Sequence, residues 1–144
     1  MLAVEGIGIG HCLWASASRP FEQLCLYHLD QIKRAIGISA VQCEVSAWFH
    51  KSAEGEERKR GAQIDLLIDR RDRVINVCEM KFSINEFTIN KDYEAALRNK
   101  METFREESKT KKALQLTMIT TYGVKKNMYS NRVQSEVLLD DLFA

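Results

Sequence analysis

The chain has 144 residues, 45% of them hydrophobic, a single-domain length that can bury a core without disulfide or metal staples. Its 21 lysines and arginines face 20 acids, so the net charge of +1 carries no global basic signature and any polyanion must be met locally. Scattered cysteines without a Cys-x-x-Cys pair point to a reduced, cytoplasmic protein, and no apolar run approaches the roughly 20 residues of a membrane helix.

Residues 1–18, MLAVEGIGIGHCLWASAS, read as a loose lead-in. GIGIG lacks the lysine of a phosphate loop, and the stretch lacks the basic start of a secretory signal. One domain is expected over 19–144. Phe21, Leu24, Cys25, His28, Leu29, Ile32 and Ile36 recur at helical spacing, which predicts one helix from Pro20, tolerated in the first turn, to a stop at Gly37. In VQCEVSAWF, Val41, Cys43, Val45, Ala47 and Phe49 alternate with polar neighbours, the period of a half-buried strand. HKSAEGEERKRGAQ is a polar, glycine-punctuated excursion, IDLLID a second strand and VINVCEMKF a third. KDYEAALRNKMETFREESK is a helix with a core stripe of Tyr93, Leu97, Met101 and Phe104, and ALQLTMITT is the fourth strand. A short edge strand near Val133 to Leu138 and a final turn complete the chain. The order helix, strand, strand, strand, helix, strand predicts an α/β fold, a mixed sheet of four to five strands with helices on its faces.

Charges inside such strands need a reason, because a buried carboxylate costs several kcal/mol unless it is paired or binds a cation. Asp65 lies in the second strand and Glu79-Met80-Lys81 in the third. Alternation puts Glu79 and Lys81 on one face, and a hairpin that opposes Asp65 to Glu79 brings their Cβ atoms to roughly 5 Å. That register requires opposed residue numbers to add to 144, hence an odd-length connection such as Arg71 to Arg73. Two carboxylates so close suit a hard divalent cation, Mg²⁺ or Mn²⁺ in its place, which takes oxygen ligands from carboxylates, water and phosphate. Lys81 would then steady a phosphate oxygen or help deprotonate an attacking water.

Asp65 followed by Glu79-x-Lys81 resembles the D…(D/E)xK signature of the PD-(D/E)XK nuclease superfamily, whose restriction-endonuclease-like αβββαβ core has the same element order. FEQLCLYHLDQIKRAIGI, GAQIDLLIDRRDRVINVCEMKFS and LTMITTYGVKKNMYS are similar to the C-terminal nuclease-like domain of a group of bacterial AAA-type ATPases, a resemblance that runs from Trp14 to the C-terminus. It implies a DNA nuclease in which Asp65, Glu79 and the Met80 carbonyl hold the metal, Lys81 is the catalytic lysine, and Glu22 on the first helix is a further acid beside the metal. Ile64 replaces the name-giving proline, which does no chemistry. No G-x-x-x-x-G-K-[ST] loop is present, so the ATPase module that normally precedes such a domain is expected to be absent: either the domain acts alone, with an ATPase as a possible partner in trans, or it is a fragment of a longer ancestor.

Plainer readings stand beside these. Asp65 and Lys81 can form a structural ion pair, Glu22 can serve the helix dipole, and Cys25-x-x-His28 without a second ligand pair reads as two core-facing residues. Most basic clusters read as solvated turns, with Lys125 and Lys126 after the fourth strand, and Lys100 on the second helix, as the DNA-contact candidates. Tyr93, seven residues before Lys100 on that helix, reads as core. The expected partners are DNA, an ATPase in trans and a second copy of the chain, without a membrane. The alternatives to a nuclease are a catalytically silent nucleic-acid-binding or regulatory domain derived from an AAA ATPase, and a protein-interaction domain.

Overall fold

The computed structural model describes residues 18–51 and 62–144. All of the lead-in but Ser18, and most of the polar excursion with its Arg58-Lys59-Arg60 cluster, lie outside the described residues. Helices α1 (Ser18–Tyr27), α2 (Leu29–Ala35) and α3 (Lys91–Ser108) flank strands β1 (Cys43–His50), β2 (Ala62–Arg70), β3 (Val74–Lys81), β4 (Ala113–Thr120) and β5 (Val133–Leu138). The strands form one mixed sheet in the order β1-β2-β3-β4-β5, antiparallel from β1 to β3 and parallel from β3 to β5. No described helix is long and apolar enough to cross a membrane.

Two apolar layers sandwich this sheet. On one face Phe21, Cys25 and Ile32 pack against Leu66, Ile68, Cys78 and Met80; on the other Phe104 packs against Ile64, Leu67, Ile75 and Val77. Both faces of β3 are therefore covered, which explains its almost uninterrupted apolar run. Helix α3 starts where the Asn90 side chain accepts from the Tyr93 amide at 2.8 Å, with Asp92 and Glu94 in its first turn.

The single first helix expected from periodicity is broken in two at His28. Its amide bonds to Cys25 O at 3.0 Å rather than one residue further back, and its ring Nδ1 takes Leu24 O at 2.8 Å. The imidazole thus satisfies the carbonyl that the next helical hydrogen bond would have used, and α2 restarts one residue later. The first strand likewise begins at Cys43 rather than Val41.

The hairpin of β2 and β3 has the expected register, with Leu66 opposite Cys78, Ile68 opposite Asn76 and Asp69 opposite Ile75. Its connection is Arg71 to Arg73, the last in left-handed backbone at φ 69, which matches a three-residue hairpin loop. One feature departs from plain alternation. Ser46 pairs with Leu67 while Trp48 pairs with Ile64, so Asp65 and Leu66 together face Ala47 and β2 bulges at Asp65. Ile64 and Leu67 consequently share the α3 side while Leu66 turns to the α1 side.

Candidate active site

The site lies at the end of β3 where its parallel neighbour β4 also ends, Lys81 pairing with Thr120. Continued by one position, the hairpin register sets Asp65 against Glu79, and the regular ladder stops at Leu66 and Cys78, beside the bulge. Bulges re-aim side chains, and this one falls on the residue whose carboxylate is at issue. Asp65 is half-buried and accepts from Gln63 Nε2 at 2.5 Å.

Among the described residues Glu79 is the most enclosed acid, 7% exposed. Helix α3 supplies its partners: Lys100 Nζ lies 2.7 Å from Oε1, and Tyr93 Oη donates to Oε2 at 3.4 Å. Burial, reinforced by the charge of Glu79 and by this hydrogen bond, holds the Tyr93 phenol far above its ordinary range, so it stays a proton donor. Lys81 Nζ sits 5.3 Å from the centroid of the same tyrosine ring. Lys81 and Glu79 thus meet one aromatic side chain, as two residues of one strand face should.

Glu22 reaches the group from α1. Burial raises its carboxyl above the ordinary value of 4.5, and the neighbouring Asp65 charge raises it further; Arg19 and Lys81 pull it back, and Glu79 adds a smaller upward push. Arg19 Nη1 is 3.8 Å from the Glu22 carboxylate. Glu22 on α1 therefore feels the charges of Asp65 on β2 and of Glu79 and Lys81 on β3.

The donor set is hard oxygen. Met80 sends its side chain into the α1-side core, leaving only its main-chain carbonyl as a candidate ligand. Among the described residues no group of three His, Cys, Asp or Glu side chains forms a ready-made metal cage. Two carboxylates with water and phosphate oxygens to complete the shell fit Mg²⁺, which keeps several waters and seldom uses an all-protein cage. Cys25 and His28 belong to no group of three ligands among the described residues, and Cys25 is fully buried, which pushes its thiol up to about 12.

Other residues fall elsewhere than expected. Asp65 and Lys81 form no ion pair among the described residues; Glu79 is bonded instead to Lys100, which was expected to face DNA. Lys126 reaches back to Glu136 at 3.1 Å, whereas the Lys125 side chain is exposed. Tyr93 was read as core and does pack against the cluster of Ile89, Met118 and Val124, while its hydroxyl and ring also partner Glu79 and Lys81, a role its spacing of seven from Lys100 could have signalled. Comparison of the chain with family models, with curated proteins and with solved structures returned no match.

Proposed function

We propose that the chain is a Mg²⁺-dependent phosphodiesterase that cleaves DNA, built on the PD-(D/E)XK plan. The observation that carries this reading is geometric: the hairpin register, continued by one position, opposes Asp65 to Glu79, and Glu79 and Lys81 meet the same Tyr93 side chain at the end of β3. The element order and the hairpin register support it. Asp65 and Glu79 would hold the cation, with the Met80 carbonyl beside them, and the bound ion would supply Lewis-acid polarisation of phosphate and water. Lys81 stabilises the negative charge that develops on the phosphate oxygens. Glu22, whose carboxyl binds a proton more readily than a solvated one, would take a proton from the attacking water.

The clasp of Lys100 and Tyr93 on Glu79 favours one second reading, a silent DNA-binding or regulatory domain whose acid stays engaged by protein, serving an ATPase in trans. Calorimetric titration with Mn²⁺ separates the two. Uptake by the wild-type chain that disappears in Asp65→Ala and Glu79→Ala supports the phosphodiesterase. DNA binding without metal uptake or cleavage supports the silent domain.

A further inference from the structure

The loops that leave β3 and β4 at the carboxyl ends of these parallel strands, residues 82–90 and 121–129, frame a cleft that the hydrolytic residues do not use. Hydrogen bonds stitch its walls together: Ser83 N donates to the Thr121 side-chain Oγ1 at 2.9 Å, Phe87 N to Gly123 O at 2.8 Å and Lys125 N to Phe87 O at 2.9 Å. Asn127 Nδ2 adds a bond to Ile89 O at 2.9 Å. Gly123, at φ 96, allows the turn between Tyr122 and Val124. The cleft joins the site through packed rings: Lys81 lies over Tyr93, and Tyr93 meets Phe87 edge-on at 5.2 Å.

The cleft is open, about 670 Å³, and is lined by Ile84, Asn85, Glu86, Thr88, Tyr122 and Lys125. Tyr122 is 60% and Ile84 82% exposed. Among the described residues the Tyr122 ring has no ring partner and the Lys125 ammonium no acid. One acid and one base line the cleft, so it lacks the net positive charge of a phosphate track. It offers instead an aromatic face, an aliphatic wall and a polar edge of carboxylate, amide and hydroxyl, with Lys125 available to an adjoining phosphate. Those groups suit a flat ring with amino and carbonyl edges.

We infer that this cleft seats an unpaired nucleobase of the strand whose phosphate meets Lys81, so the substrate class is single-stranded or frayed DNA rather than intact duplex. The inference rests on the reading of the adjoining site as a phosphodiesterase. A base inside a duplex has both faces stacked and cannot offer one to Tyr122. The hydrogen-bonded walls hold the cleft in place, so little ordering opposes binding.

Fluorescence anisotropy in EDTA, where no metal-dependent cleavage occurs, tests the inference. The probes are a short labelled single strand, the same strand without its bases, and the matching blunt duplex. The wild-type chain is expected to prefer the single strand over both others by a factor on the order of ten, the scale of one stacked base. Tyr122→Ala should erase that preference with an unchanged melting temperature, and Tyr122→Phe should keep it. Equal binding of the abasic strand, a preference that survives Tyr122→Ala, or no DNA binding at all overturns the inference. So does a Tyr122→Ala variant whose only change is dissociation of a dimer. Parallel cleavage in Mn²⁺ keeps the two readings apart. Base preference without cleavage upholds the cleft and defeats the phosphodiesterase, whereas cleavage of duplex and abasic strands alike does the reverse.

Discussion

Lys100 Nζ stands 2.7 Å from Glu79 Oε1, so the most enclosed acid of the site is neutralised by a helix rather than by the strand lysine two residues away. The Glu79 side chain is 9% exposed and that of Lys100 24%, which places the pair at the edge of the interior, where a charge-assisted bond keeps much of its strength. Any cation arriving at Glu79 meets a carboxylate already held by an ammonium. On the proposed reading a metal would compete with this ion pair for Glu79, and Lys100, once displaced, would be a free cation beside a bound phosphate.

Lys100→Met removes the partner and leaves Glu79 enclosed with only Tyr93 as donor. The expected loss is about 1–3 kcal/mol of stability without metal, the scale of a lost hydrogen bond to a charged group near solvent. Saturating Mn²⁺ should restore more stability to this variant than to the wild type, and its apparent Kd should fall. Thermal melting with and without Mn²⁺ checks both. Destabilisation of equal size in the two conditions would show that Lys100 and the metal do not share Glu79.

Glu22 gives the site a pH signature. Its carboxyl is raised in the folded state, first by burial and then by Asp65. An acid raised on folding contributes stability that is complete below its unfolded value, near 4.5, and is lost as the pH rises through the folded value. Glu22→Gln escapes that loss. The variant should therefore melt higher than the wild type at neutral pH, with a gap that closes below pH 4.5 and narrows when Mg²⁺ supplies the missing positive charge. A constant gap across the titration would place Glu22 outside the cluster.

The turn between β2 and β3 tests the scaffold separately from the chemistry. Arg73 holds φ 69, a backbone region that suits glycine better than a residue with a Cβ. Arg73→Gly should stabilise the chain by about 0.5–1 kcal/mol while leaving Mn²⁺ uptake unchanged. Urea unfolding measures the first and calorimetry the second; a loss of stability would mean that the Arg73 side chain matters more than its backbone.

Much of this arrangement is legible in the sequence because it rests on short-range periodicity. Alternation marks β5 at Val133–Leu138, and requiring Asp65 to oppose Glu79 leads to the odd-length connection and the observed register. The kink at His28 is not legible, since apolar spacing continues across a helix whose carbonyl is captured by a side chain. Nor is the bulge at Asp65, because every residue from Ile64 to Ile68 except Asp65 suits a buried strand and no glycine marks the insertion. The inward turn of Lys100 is a tertiary choice: its spacing from Tyr93 puts both on one face, and only the packing of α3 on β3 decides that this face meets Glu79.

The central claim is that Asp65, Glu79 and Lys81 make a metal-dependent hydrolytic site, and a plasmid-nicking assay in Mg²⁺ or Mn²⁺ on the wild type and three alanine variants tests it most directly. Supercoiled plasmid is underwound and exposes unpaired bases, so it also satisfies the cleft. The account predicts nicking that needs the cation, that Asp65→Ala and Glu79→Ala abolish, and that Lys81→Ala slows by a factor on the order of 10² or more without preventing Mn²⁺ uptake. Wild-type protein that leaves the plasmid intact, or nicking that persists in Asp65→Ala and Glu79→Ala, would contradict it.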